Sequence, residues 1–586
     1  MDPSASLLVP ASGAATPSIL LVTIDTWRWD HIGASGQGRA ETPNLDRLAS
    51  EGVYLPKVQT TCPLTTPAHA TILTGLLPFH HGIRDNQHFK LKPDVVTLAQ
   101  RFREASYRTA AVVSGAPLRR GYGLDRGFDS YDDQGLGTQG DSATTPSSRS
   151  AKLTTARAVD WLAAQPPGAS VFLWVHYYDC HEPYMPPSPF LERFAGHPYA
   201  GEVAWVDDRL GPLFERTRSD ATRSWIIAVT GDHGEGLGDH GERTHGILLY
   251  GPTVDVPLIL WTGAAGAATR PGPPGGPAGA GPGPFSLLDV APTLAALAGL
   301  PPWPVDGVSV FSEGASDRWL AAETAYPALG YGLNPGALLR KGHLVRLDQG
   351  SEEVYDLQSD PGETSNLADS GQGSAFIREA AAQRGRLLGP ESSLLTATLT
   401  LPPEQLAALR SLGYVSSGRT GSSWRKVDLR SFAQDFSRMD EARRLFSTNR
   451  RAEALAAYDA LLAAYPNSTL AWQERGQVLA ALGRPEEAAR SFGRALALDP
   501  RDAISSLNLG NLAVARGDLQ RAESFFKQSL ASEEGQPEGQ LNLALLYLHM
   551  LGRPNDAKPH LRRFLELAPD NPEAPKAREL LSGIKE

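Results

Sequence analysis

The chain has 586 residues, more than one hydrophobic core serves, so two or more domains are expected. With 41% hydrophobic and 20% charged residues it reads as soluble and globular, and a net charge of −10 without a long basic run argues against a nucleic-acid partner. The apolar run at residues 19–24 is too short to span a bilayer, and residues 1–17 have neither a basic start nor an apolar stretch, so no export signal is read. Localisation stays open: periplasmic or secreted if a leader was removed, otherwise cytoplasmic.

After a tail at 1–17, residues 18–23 form a short apolar run leading to Asp25, expected as a buried parallel strand with a carboxylate at its C-terminal end. Sites in open α/β sheets gather at such ends. A helical pattern follows at 44–52. Thr65 comes after a Pro-containing loop and opens a helix with Ile72 and Leu73 as its apolar pattern. A helix start offers free N–H groups and a positive dipole end, which favour an alkoxide and an anionic substrate. Residues 134–150 and 263–283 read as flexible Gly-rich loops. Another helix is expected at 153–164. Strand-like residues 171–175 run into His176, Asp179 and His181, and 225–230 run into Gly231, Asp232, His233 and Gly234. This alternation predicts a mostly parallel sheet with helices on both faces. Residues 287–294 read as a helix start, and 354–357 as the end of a smaller antiparallel element. The two cysteines, Cys62 and Cys180, give no disulfide scaffold and no zinc-finger spacing, and read as small buried thiols.

From about residue 435 the composition turns to Ala, Leu, Arg and Glu, with a 34-residue period: Ala454, Ala488 and Ala522; Tyr458, Phe492 and Phe526; Gly483 and Gly517; Pro466 and Pro500. A fourth copy, slipped by one residue, carries Gly552, Ala557, Phe564 and Pro569. The pattern resembles tetratricopeptide repeats, with copies near 435–468, 469–502, 503–536 and 538–571 and a capping helix to the end. The small alanine admits a neighbouring helix and the aromatic fills the space beside it. Residues 401–434 are expected to be a linker with a short helix at 403–412.

Asp25, Asp232, His233 and the Thr65 hydroxyl form a mixed oxygen and nitrogen set suited to a hard or borderline metal ion, which would make the hydroxyl nucleophilic. His176, Asp179, His181 and His245 suggest a second, zinc-like site. Two divalent ions about 4 Å apart, zinc before manganese or calcium, would clamp an in-line phosphoryl displacement. Taken singly these residues have blander readings: His176 and His181 as satisfied loop histidines, and Glu235, Asp239, His240 and Glu242 as a solvated acidic loop. The constellation outweighs them by its order and spacing.

Six blocks carry a family resemblance: 21–25, 42–48, 65–75, 231–241, 256–259 and 353–366. Residues 18 to about 370, within a catalytic domain placed at 18–400, resemble the sulfatase branch of the alkaline phosphatase superfamily. The resemblance implies an α/β sandwich with a mostly parallel central sheet and a smaller C-terminal antiparallel sheet, here followed by the all-α repeats. It also implies Asp25, Thr65, Asp232 and His233 around one metal, with Thr65 as nucleophile.

The departures matter as much as the matches. A threonine stands where sulfatases carry the cysteine or serine that becomes formylglycine. His69 replaces their arginine, the Lys and His expected after Tyr107 are missing, and His245 takes a lysine position. The replacements resemble the two-metal phosphodiesterases and phosphoethanolamine transferases of the superfamily, which implies Asn86 as a stabiliser of developing charge and His181 as a metal ligand or leaving-group acid. The expected activity is cleavage of an anionic phosphate ester, a diester before a monoester, through a Thr65 intermediate. The alternatives are a sulfuric ester hydrolase, a phosphoethanolamine-type transferase, and a binding protein with a relic hydrolase domain. The repeats imply a protein partner or self-association.

Overall fold

The computed structural model describes residues 16–136, 148–263, 283–312, 317–331, 333–395, 399, 426–532, 536–568 and 571–584. The helix expected at 403–412, and most of the two loops expected at 134–150 and 263–283, lie outside them.

The eight strands of the main sheet are β1 (Ser18–Ile24), β2 (Val53–Gln59), β3 (Arg108–Val112), β4 (Ser130–Asp132), β5 (Val171–Tyr177), β6 (Trp225–Gly231), β7 (Asp255–Gly263) and β8 (Phe285–Ser286), in spatial order β4-β3-β5-β1-β6-β7-β2-β8. β1 pairs in parallel with β5 and β6 on either side, and β7 runs antiparallel to both its neighbours. The uninterrupted apolar run of β1 has a simple cause. Ile19 and Leu21 enter one core and Leu20, Val22 and Ile24 the other, so both faces are covered. β1, β5 and β6 therefore end side by side, and their trailing polar residues meet.

A second sheet, antiparallel throughout, joins β9 (Trp319–Thr324), β10 (Gly336–Lys341), β11 (Leu344–Asp348) and β12 (Glu352–Asp356) in the order β12-β11-β10-β9. The expected C-terminal antiparallel element is this sheet, and residues 354–356 lie on its edge strand.

Helix pairs follow: Leu429–Ser447 with Arg451–Ala464, Thr469–Ala481 with Pro485–Leu498, Ala503–Ala515 with Leu519–Ser532, and Pro537–Leu545 with Pro554–Leu567, closed by Ala574–Gly583. The periodic residues do what their sizes predict. Ala454, Ala488, Ala522 and Ala557 are fully buried, and Tyr458, Phe492, Phe526 and Phe564 pack beside them. The first repeat helix starts at Leu429, inside the stretch read as linker. It is held by Leu429 N–H donating to Gln349 O at 2.8 Å and Val427 N–H donating to Asn334 Oδ1 at 2.8 Å. Phe432 and Phe436 on this helix pack on Tyr331, with ring centroids 5.0 and 5.7 Å away. One hydrophobic core thus runs from the α/β domain into the repeats.

Candidate metal centre

Asp25 follows β1, and Asp232 and His233 follow β6, so the parallel pairing of these strands brings the three together. Each offers a ligand atom within 4.8 Å of the others, and all three are buried. His233 Nε2 lies 3.5 Å from Asp232 Oδ2 and 3.9 Å from Asp25 Oδ1. Thr26 ties the strand ends together: its N–H donates to Asp232 Oδ1 at 3.1 Å and its hydroxyl to Cys180 O at 2.8 Å. It does so with φ +55°, a strained value for a β-branched residue.

Thr65 is the first residue of the helix Thr65–Thr74, so its hydroxyl stands at the positive end of the helix dipole. All ten residues of this helix are buried. Asn86 Oδ1 accepts the Thr66 N–H at 2.8 Å, which pins the helix start. His69, one turn on, fastens it from below. Its Nδ1 faces the Thr65 carbonyl at 2.7 Å, and a carbonyl can only accept, so Nδ1 carries the proton. Nε2 then accepts from Thr23 Oγ1 at 2.9 Å, and that hydroxyl in turn accepts from Trp174 Nε1 at 3.0 Å. Burial pushes the His69 pKa down to about 3, so the ring is a neutral brace.

Five atoms here are buried without a hydrogen-bond partner: Asp25 Oδ1 and Oδ2, Thr65 Oγ1, Asp232 Oδ2 and His233 Nε2. Buried polar groups are normally paired, and orphaned carboxylates cost most. Burial raises the pKa of Asp25 well above the ordinary carboxylate range, with the charges of Asp232 and Glu235 adding to it, and burial raises Asp232 likewise. Desolvation drives His233 down, and its Nδ1 donates to Gly234 O at 2.9 Å, leaving Nε2 as a bare acceptor. A divalent cation would satisfy these atoms together and favour both carboxylates as anions, so the residues fit a metal.

The second expected group is only partly assembled. His176 lies on strand β5, not a loop, with Nε2 3.4 Å from Asp25 Oδ2. His181 and His245 face each other with ring centroids 5.1 Å apart, and His245 lies 4.4 Å from His233. Asp179 turns elsewhere. Its Oδ1 accepts from Ala151 N–H at 2.8 Å and Trp205 Nε1 at 3.1 Å, at the start of the helix Ala151–Ala163. Among the described residues no second group of three His, Cys, Asp or Glu ligands converges.

The residue facing His245 is instead Glu235, whose Oε1 is 3.0 Å from His245 Nδ1 and whose Oε2 is buried and unpartnered. The acidic loop is therefore not solvated at Glu235 or Glu242, which are 0% and 2% exposed. Glycines fold it inward. A Cβ on Gly234 would lie 2.0 Å from the Pro252 carbonyl oxygen, and one on Gly236 2.3 Å from that of Glu242. The sequence signal for Glu235 was its place between these two glycines, two residues after His233.

Fold and site together define an alkaline phosphatase-like α/β sandwich with a buried carboxylate–histidine cluster that could hold a metal ion at its strand ends. Residues 17–300 match the sulfatase family, and 439–503, 474–538 and 513–581 match tetratricopeptide repeat families, so the chain carries a sulfatase-family domain followed by tetratricopeptide repeats. It is 40% identical over 79 residues to the N-acetylgalactosamine-6-sulfatase of Mus musculus, a match spanning 14% of this chain and only 15% of that relative. It is 26% identical over 452 residues to a Delta 4,5-hexuronate-2-O-sulfatase of Bacteroides thetaiotaomicron, covering 63% of this chain and 88% of the relative. Among solved structures it is similar to a phosphonate monoester hydrolase of Agrobacterium radiobacter, with a TM-score of 0.50, 21% identity, and coverage of 64% of this chain and 96% of that one. Among the described residues no helix is long and apolar enough to cross a membrane.

Proposed function

We propose that this protein is a metal-dependent hydrolase that cleaves an anionic ester by nucleophilic attack of Thr65, with phosphorus as the atom attacked and a diester as the preferred substrate. The observation that carries this reading is the Thr65 hydroxyl, buried at a helix start and acting on the carboxylate of Asp25, which clusters with Asp232 and His233. Asp25, Asp232, His233 and the Thr65 oxygen would hold the metal, a single ion. Zinc suits this donor set best. A bound divalent cation supplies positive charge that lowers the hydroxyl pKa and offsets charge on the transferring group.

The rest is the work of the chain. The His69 brace and Asn86 hold Thr65 so that its oxygen meets the ester in line with the leaving alcohol. Attack forms an ester on Thr65 and releases the alcohol, and water then opens that ester. The His181 Nδ1 faces the Glu182 carbonyl at 2.7 Å, and burial lowers its pKa to about 3. Its Nε2 is thereby an acceptor, suited to be a metal ligand rather than a proton donor. The positive dipole end of the helix at Thr65 favours the charge that develops.

Phosphorus is favoured because threonine carries a methyl group on its Cβ and cannot be oxidised to an aldehyde. A sulfuric ester is the second reading, on the strength of the sulfatases among the relatives. The repeats are proposed to engage a protein partner. A panel of aryl phosphate diester, monoester, phosphonate and sulfate substrates, at known metal content, decides between the readings. The proposal expects the diester to turn over fastest and Thr65→Ala to abolish turnover in a folded protein. Faster turnover of the sulfate ester would transfer the assignment to sulfur.

A further inference from the structure

The helix Leu429–Ser447 of the first repeat reaches the metal centre by two routes. The first runs through the helix Tyr326–Tyr331, which follows β9. At the end of β9 the Glu323 N–H donates to the Thr61 carbonyl at 2.9 Å, in the segment leading to Thr65. The Thr324 hydroxyl donates to the Gly246 carbonyl, next to His245. Tyr326 and Leu64 then meet over Gly246: a Cβ there would lie 3.6 Å from Tyr326 Cδ1 and 3.2 Å from Leu64 Cδ2. Leu64 immediately precedes Thr65 in the chain. The same Tyr326 ring meets Phe436 of the repeat helix edge to face, with centroids 6.3 Å apart.

The second route is a hairpin. The N–H groups of Gly236, Leu237 and Gly238 donate to the carbonyls of Thr244, Arg243 and Glu242 at 2.6, 2.9 and 2.8 Å, so the chain from 236 to 244 doubles back. Its base is the Glu235–His245 pair. Its tip rests on the repeat helix, where a Cβ on Gly241 would lie 2.7 Å from Gln434 Cγ. His240, also at the tip, stacks on Tyr250 with centroids 3.8 Å apart and ring planes at 7°. The Tyr250 hydroxyl donates to Glu353 Oε2 at 2.5 Å, and Glu353 Oε1 lies 3.5 Å from Arg430 Nε of the repeat helix. Arg430 and Gln434 are one turn apart, as are Phe432 and Phe436, so two faces of one helix serve the two routes.

The routes end one residue from Thr65 and at His245 itself. Gly246, at φ +97°, has no side chain of its own to fix it, and Thr324 and Tyr326 do so from outside. In-line attack is sensitive to such placement: a shift of about 1 Å can cost roughly 100-fold in rate. We propose that the first repeat helix is a positioning element of the catalytic site, with Phe436 and Tyr326 as positioning residues that hold Thr65 and His245 in place for attack. This inference rests on the reading of Thr65 as nucleophile. It gives the repeats a part in turnover besides any partner they bind.

The test is steady-state kinetics of the full-length protein, at saturating divalent metal, on the aryl ester it turns over fastest. The variants are Phe436→Leu, Phe436→Tyr and Phe564→Leu, each with its thermal midpoint as a folding check. Phe436→Leu should lower kcat about 10-fold and leave KM within about twofold, since the ring orients the nucleophile and touches no substrate. Phe436→Tyr keeps the ring and should recover most of kcat. Phe564→Leu, in the last repeat, should lower the midpoint and leave kcat unchanged. A purely structural role for Phe436 would move the midpoint alone. A folded Phe436→Leu with kcat within about twofold of wild type would therefore overturn the inference, and so would an equal loss of kcat in Phe564→Leu. Should Phe436→Leu not fold, Phe436→Met, closer in volume and still without a ring, takes its place with the same two outcomes. Should Thr65→Ala remain active, the nucleophile reading fails, and the kcat ratio of the Phe436 variants still reports whether the repeat positions the site.

Discussion

Phe432 joins two parts of the molecule that the sequence presents as separate, and its removal should be felt in both. The ring is 2% exposed, on the first repeat helix. Its centroid lies 5.0 Å from that of Tyr331 in the α/β domain and 5.1 Å from that of Tyr465 in the repeat. Phe432→Ala deletes a buried aromatic that two rigid layers cannot close around, at a cost of about 3–5 kcal/mol. Phe564→Ala, in the last repeat, removes a ring that is 1% exposed but belongs to a separate hydrophobic cluster. The local cost is similar and the reach different. In urea, with activity reporting on the catalytic domain and circular dichroism on the helices, Phe432→Ala should lower both midpoints. Phe564→Ala should lower only the helical one. A catalytic-domain midpoint that Phe432→Ala leaves in place would refute the shared core.

Two further outcomes follow from single contacts. Burial pushes the Glu363 carboxyl up to about 8 from an ordinary value near 4.5, although the Gly251 N–H donates to it at 2.7 Å. Between those values the folded chain holds a proton that the unfolded chain has lost, so this group's contribution to stability is full below the lower value and falls as pH rises, by up to about 1.4 kcal/mol per unit. Glu363→Gln should remove that slope and gain on wild type from pH 5 to pH 8; parallel stability curves would contradict it. In the repeats, a Cβ on Gly476 would lie 2.6 Å from the Phe492 ring. The helix-propensity gain of Gly476→Ala, about 1 kcal/mol, should lose to overpacking of about 1–3 kcal/mol, giving a less stable variant in urea. A more stable variant would mean that the ring can retreat.

Much of the architecture was legible because it rests on periodicity. The apolar run of β1, the helix opening at Thr65 and the 34-residue spacing each have one cheap physical solution, and the structure adopts it. Asp25, Asp232 and His233 were readable for the same reason: parallel strands deliver their trailing residues to one edge. Loop residues obeyed no such rule. Asp179 looked like a ligand beside His181, but its Oδ1 accepts from the Ala151 N–H, at a helix start 28 residues earlier in the chain, and from the Trp205 indole. Glu235 looked like solvent-facing charge until Gly234 and Gly236 allowed the loop to fold under itself. His69 was visible only as a missing arginine. Its place in the chain Trp174–Thr23–His69–Thr65 depends on three elements meeting, which no local pattern encodes. The start of the repeats at Leu429 was hidden because the first helix is fixed by partners on the catalytic domain rather than by its own repeat.

The central claim is that Thr65 carries the covalent intermediate, and acid-quenched turnover of an aryl phosphodiester by the metal-loaded protein, followed by peptide mass analysis, tests it most directly. The account predicts a phosphoryl group on the peptide containing Thr65, with no adduct and no turnover in Thr65→Ala. Undiminished turnover by a folded Thr65→Ala would contradict it.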